Sequence, residues 1–165
     1  MKKIVQVPFG RIELDTTILD NIQKELGKRY VVRVGVLGKK AKRPESPESN
    51  ADIGMQHEFG VETRGIPPRS WLRMPLQFVM PDFYKEEGQR LIDSMTKKNI
   101  LASFKRVGVA AITAIQDAFD SKGFGNWADN TEYTVAYKKN KSGENTPLID
   151  TGEFRKAVMF EVVKK

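Results

Sequence analysis

Apolar positions recur along this chain with two different periods. Leu14, Ile18, Ile22 and Leu26 stand four apart, with Leu19 beside them, which predicts an amphipathic helix of about three turns. Asp15 or Thr16 is placed to cap its start and Gly27 its end. Residues 1–13 alternate more weakly, through Ile4, Gln6, Phe9 and Ile12, as an edge strand or an arm would. Tyr30 to Leu37 is rich in β-branched residues and stops at Gly38, predicting a strand with Val32, Val34 and Val36 on one face. The strongest helical spacing runs through Leu101, Phe104, Gly108, Ala111, Ile112, Ile115, Ala118 and Phe119. Its small residues leave room for another backbone to approach closely, and Gly123-Phe124-Gly125 ends it. Val158 to Val163 closes the pattern as a strand with Val158, Phe160 and Val162 on one face.

Between these lie shorter signals. Asn50 is placed to cap a short helix over Ile53 to Phe59, closed by Gly60. Gly65-Ile66-Pro67-Pro68 is a stiff extended connector. Pro75 suits the first turn of a further helix. Pro81 is expected to break or kink that helix, with Asp82 capping the next one through Phe83, Leu91 and Met95. Asp129 with Glu132, and Asp150 with Glu153, have the spacing of capping boxes. Strands towards the two ends and helices in the middle predict an α+β fold. Its small, mainly antiparallel sheet packs against a long central helix, in one domain over residues 1–165 with extended loops.

Charge adds a partner class. The 165 residues carry 28 Lys and Arg against 21 Asp and Glu, a formal net charge of +7, which suits contact with nucleic acid or an acidic protein surface. Residues 39–50 contain no apolar side chain larger than alanine, so they are expected to form a mobile loop, as are residues 139–146. Lys39, Lys40, Lys42 and Arg43 make the first loop the candidate contact with an acidic partner or with DNA. No base-reading motif accompanies them, so such contact would be independent of sequence and sensitive to salt.

Candidate chemistry is sparse. The absence of cysteine excludes disulfides and thiolate chemistry and fits a protein made inside the cell. No segment approaches the ~18 consecutive apolar residues of a membrane helix. His57 is the single histidine, and without Cys or further His it lacks the ligand set of a metal site, so a structural role is expected. Leu148-Ile149-Asp150-Thr151-Gly152 resembles the Asp-Thr-Gly signature of aspartic proteases. Only thirteen residues follow Gly152, too few for the flap and returning strands such a dyad needs; the protease is kept as a remote alternative.

Two segments read together carry a family resemblance. Ile53-Gly54-Met55-Gln56-His57-Glu58-Phe59-Gly60, then Ile66-Pro67-Pro68-Arg69-Ser70-Trp71-Leu72-Arg73, resembles the core of tailed-bacteriophage tail-completion and virion-morphogenesis proteins, the minor-tail-Z-like and Mu G-like group. Trp127, Thr131, Tyr137-Lys138 and Pro147-Leu148-Ile149-Asp150-Thr151-Gly152-Glu153-Phe154 resemble that family's ending. The order and spacing agree over about residues 14–163. Ser70 stands where the family often has proline, and Phe154 where it often has leucine.

The resemblance implies a non-enzymatic virion protein with no cofactor, metal or catalytic residue. It would form a ring of its own copies, hexameric in expectation, at the junction of the tail with the neck. Its neighbours would be tail-tube, neck or connector proteins, and DNA would pass through the lumen. Its location would be the virion, and the host cytoplasm during assembly. His57, Phe59, Gly60, Pro67, Arg69, Trp71, Leu72, Asp150, Thr151 and Gly152 carry the motif in structural roles, with Phe59 buried beside Trp71 and Leu72. The alternative from a different class is a sequence-independent nucleic-acid-binding module acting through the basic loops.

Overall fold

The computed structural model describes residues 2–43, 46–141 and 145–165. Its elements follow in the order β1 (Lys2–Val7), β2 (Gly10–Asp15), α1 (Thr17–Leu26), β3 (Tyr30–Val36), α2 (Asn50–Phe59), α3 (Arg73–Thr96), α4 (Ile100–Asp120), α5 (Glu132–Lys141), α6 (Glu153–Ala157) and β4 (Val158–Lys164). The fold is α+β.

The β-branched segments at 30–36 and 158–164 find each other across the chain. β3 and β4 pair antiparallel, with Tyr30 opposite Lys164 and Val36 opposite Val158. One face of this two-stranded sheet lies on α4. The approach is close: a Cβ on Gly108 of α4 would fall 2.1 Å from the Phe160 ring. Small residues on α4 therefore do what the sequence pattern requires of them. Trp71, Ile115, Ala118, Phe119, Trp127, Phe154 and Val158 form the buried core, with Val34 and Val36 packed against it. The rings of Phe119 and Trp127 meet edge-on at 5.7 Å, as do those of Trp71 and Phe154 at 5.0 Å. Arg155 of α6 grips Asp120, at the end of α4, with both guanidinium nitrogens at 2.6 and 2.7 Å.

Several local expectations are corrected. Residues 2–15 form a hairpin and not a single strand or arm: β1 pairs antiparallel with β2, Val7 opposite Gly10, and Pro8-Phe9 turns the chain between them. Pro81 does not break α3, which runs through it from Arg73 to Thr96. Pro81 and Gln77, whose carbonyl loses its helical amide partner, both lie on an exposed face open to solvent. Asp82 consequently starts no new helix and instead bonds Lys85 at 2.8 Å.

The caps also differ from those expected. Ser49, not Asn50, caps α2, in a reciprocal box with Asp52. Asn50 lies one residue inside and donates to the Lys40 carbonyl at 2.9 Å. α5 begins after Thr131, whose hydroxyl accepts from the Thr134 amide at 3.3 Å, so Asp129 is not its cap. α6 starts from left-handed Gly152, and the Glu153 amide donates to Thr151 Oγ1 at 3.4 Å. Thr16 precedes α1 without a side-chain cap bond, while Asp15 accepts from the Thr17 amide at 2.9 Å. Gly27 ends α1 in a right-handed conformation. Within the two loops, Gly38–Ala41 is a turn of 3-10 helix and α5 reaches Lys141; residues 44, 45 and 142–144 lie outside the described ones.

Candidate functional site

The two motif segments meet in space. Trp71 donates its indole N–H to the Gly54 carbonyl at 2.8 Å, beneath α2. A Cβ on Gly54 would sit 3.0 Å from Trp71 and 3.2 Å from Phe154, so the first segment, the second and the C-terminal ending converge at one tightly packed point where an added side chain would press on both rings. Trp127 donates its indole N–H to the Ser70 carbonyl at 3.2 Å. The amide of Arg69 donates to the His57 carbonyl at 2.6 Å. Gly60 turns the chain out of α2 at φ +75°, and a Cβ there would lie 2.9 Å from the Pro68 nitrogen, a conformation and a space that both exclude other residues.

Glu58 ties α2 to the start of α3. Its buried carboxylate accepts from Ser70 Oγ at 2.7 Å and from the amides of Leu72 and Arg73 at 2.9 and 3.2 Å. Ser70 Oγ in turn accepts from the Met74 amide at 2.9 Å. An acid thus satisfies the orphan amides at the positive end of a 24-residue helix. The motif histidine draws attention in the sequence, yet its neighbour does this work. The available signal was an acid inside a helical segment followed by a serine at a helix start.

A cleft of about 400 Å³ lies between α2, the proline connector, α5 and the turn before α6. His57, Pro67, Arg69, Asp150, Thr151, Gly152 and Arg43 all line it, over a floor that includes Ile53, Ile149 and Phe154. Arg69 is buried and gives its donors to the carbonyls of Ala128 and Asp129, both at 2.8 Å. Buried Lys138 donates to the Thr146 carbonyl at 2.8 Å and to that of Ile149. These two cations hold the segments flanking α5 in place. Burial first, then Arg69 and Lys138, lowers the His57 pKa from 6.5 to about 4. The imidazole is therefore neutral at physiological pH, and its enclosed Nδ1 has no hydrogen-bond partner among the described residues.

The remaining site positions fall elsewhere. Trp71 and Leu72 belong to the core. Phe59 does not: it is 59% exposed, with the Arg73 guanidinium 5.8 Å from its ring centre. The helix turn that buries Gly54 and Glu58 points Phe59 outward, correcting the expectation of a buried clamp. In the basic run, Arg43 pairs with Glu153 at 3.0 Å and Lys40 donates to the Lys156 carbonyl at 3.3 Å. The 39–43 segment is thereby fastened to α6, while Lys39 and Lys42 carry exposed side chains.

Among the described residues no group of three or more His, Cys, Asp or Glu side chains converges to hold a metal ion. No helix of the described residues is long and apolar enough to cross a membrane. Compared with known protein families, curated proteins and solved structures, the chain matches none.

Proposed function

We propose that this chain is a structural virion protein of a tailed bacteriophage: a subunit of a ring at the tail–neck junction, in tail completion, tail termination or head–tail joining, with DNA passing through the lumen. The observation that supports it most is the meeting of Gly54, Trp71 and Phe154. Residues that carry the resemblance from two distant stretches act together as one packing unit, with Glu58 and Arg69 fixing the connections. The site groups are used for holding backbone in place, which suits an assembly subunit with no reaction of its own.

The surface is consistent with this role. In α1, Asn21 bonds the Thr96 carbonyl at 2.9 Å and Glu25 is buried, while Ile18, Leu19 and Leu26 face solvent. Phe9, at the hairpin tip, is fully exposed. Apolar side chains turned outward from a helix that turns polar groups inward mark a surface suited to other chains. Mass spectrometry of purified particles, with imaging of the tail–neck region, tests the proposal. A fixed small copy number per particle and density for a ring are expected; absence from both particles and assembly intermediates would overturn it.

A further inference from the structure

The sheet is narrower than the helix layer it covers. Neighbouring strands stand about 4.8 Å apart and packed helices about 8–10 Å, so two strands cover one helix and a pair of helices takes about four. β3 and β4 lie along α4, whereas no strand of the described residues lies along α3, which packs beside it. α1 meets α3 towards its end, where Asn21 bonds the Thr96 carbonyl. The uncovered strip starts at the outer edge of β3. There Val32, Phe104 and Val107 wall a groove of about 340 Å³ whose other side is Tyr84, Gly88 and Leu91, one stripe of α3. Tyr84 and Gly88 are exposed, and a Cβ added to Gly88 would meet nothing within 4 Å. Among the described residues, the β3 edge beside this groove bonds no backbone. The hairpin is the converse case. β1 and β2 pair with each other and lie along no other element among the described residues, and a lone hairpin is marginal in water until a third strand or a helix supports it.

We propose that the hairpin of one copy adds to the β3 edge of the next, with β2 parallel to β3 and Glu13 beside Arg33, completing a four-stranded sheet over α3 and α4. Backbone direction selects the orientation. Lys165 donates to the Arg29 carbonyl, so the hydrogen bonds to β4 alternate through residues 29, 31 and 33, and the backbone groups of Val32 and Val34 point out from the edge. In the hairpin, the two-residue turn closes on Val7 and Gly10. As a bonded pair these leave the backbone groups of Arg11 and Glu13 pointing away from β1. Run parallel, Glu13 bonds Val32 and Val34 while standing beside Arg33. Run antiparallel, it would stand opposite one of those valines and turn its charge into the groove. Length and charge then fix the register. The six residues of β2 fit the seven of β3 in two ways, and only the one from Gly10 beside Tyr30 to Asp15 beside Gly35 keeps the faces. It sets Ile12 beside Val32 and Leu14 beside Val34 on the groove side. On the outer side, Arg11 pairs with Glu13 at 2.7 Å and Arg33 with Glu161 at 3.3 Å; bringing Glu13 to Arg33 makes one row of alternating charge. The same fit on β4 would bring Glu13 to Glu161, and β1 in place of β2 would bring Ile4 to Arg33, so charge complementarity assigns β2 to β3. The two surfaces differ, so the contact runs head to tail and builds a ring when the rotation closes. It rests on the ring reading for its second copy, but the purified chain alone is enough to test it.

The chain has no cysteine, so introduced thiols map the contact directly. Chains carrying Glu13→Cys are mixed with chains carrying Arg33→Cys, oxidised with diamide and read on non-reducing gels. Neighbouring strands hold paired Cα atoms about 4.8 Å apart, within disulfide reach, so a covalent dimer is expected. Arg11→Cys mixed with Val31→Cys should also join, which an antiparallel strand would prevent, and Glu13→Cys mixed with Glu161→Cys should not. Sedimentation over a concentration series, with melting curves as the check on folding, gives the second readout. The wild type is expected to associate, and Glu13→Arg and Arg33→Glu should each weaken association by roughly fivefold. Mixed in equal amounts, so that each contact again joins opposite charges, they should associate like wild type. Gly88→Arg, which sets a charge in the groove, should melt no lower than wild type and yet associate less. A monomeric wild type, a mixture that associates no better than either variant, or a thiol at Glu161 that joins as well as one at Arg33 would overturn the contact. So would a cross-link confined within single chains carrying both Glu13→Cys and Arg33→Cys, since the hairpin would then serve its own sheet. Those results in a protein nonetheless found in particles would leave the proposed function standing; the expected pattern in a protein absent from particles would do the reverse.

Discussion

At the scale of single residues, the motif's conspicuous histidine and its quiet neighbour exchange importance. Glu58 serves a hydroxyl and two helix-start amides from a buried position, so Glu58→Gln should lower unfolding free energy by ~2 kcal/mol, read as a lower urea midpoint at unchanged slope. A wild-type midpoint would show that the amides at the start of α3 find water instead. His57 contributes through pH. Folded, it takes up a proton near pH 4; unfolded, near 6.5. Between those values the unfolded chain binds the extra proton, so this contribution is fully present above pH 6.5 and is lost as pH falls towards 4. At about 1.4 kcal/mol per pH unit the loss approaches ~3 kcal/mol. Urea titrations at several pH values should show this slope in the wild type and a shallower one in His57→Gln. Equal slopes would mean that the imidazole is hydrated in the folded state.

At the scale of elements, packing decides where propensity and pattern disagree. α3 passes through Pro81 because its length is held against α4 and α1, and the lost bond faces water. Pro81→Ala should therefore stabilise the protein by ~1–3 kcal/mol, seen as a higher urea midpoint; a drop would show that the proline ring itself contributes to packing. Gly108→Val should do the opposite, destabilising by more than ~3 kcal/mol, because Phe160 fills the space and the sheet must lift from α4. α4, β3 and β4 were legible in sequence because long helical spacing and β-branched runs are local signals. The hairpin was not: its turn is only Pro8-Phe9, and weak alternation gave no hint that Gly10 resumes a strand. The caps shifted by one or two residues because neighbouring Ser, Thr, Asn and Asp compete for the same amides. The cleft was legible only in its parts. Arg43, His57, Lys138 and Asp150 come together through long-range contacts such as the pairing of β3 with β4 and the meeting of Trp71 with Phe154, which no sequence window contains.

At the scale of the whole molecule, a net charge of +7 has to be divided between internal pairing and surface. The basic run at 39–43 shows how. Arg43 is held by Glu153 and Lys40 by a carbonyl of α6, so the sequence's four-residue contact is reduced at the surface to a narrower one led by Lys39 and Lys42. If this face meets DNA in the lumen of the proposed ring, each phosphate neutralised adds about 0.9 to the slope of log K against log salt. Lys39→Ala with Lys42→Ala should then reduce that slope by about 2 in fluorescence titrations with a random-sequence duplex, while leaving the melting temperature unchanged. Arg43→Ala should show the complementary pattern: it frees Glu153 and loosens the start of α6, lowering the melting temperature more than it changes the slope. An unchanged slope in the double variant would assign this face to protein. The positive charge of the molecule would then serve solubility or an acidic neighbour, and the lumen would have to be lined by other residues.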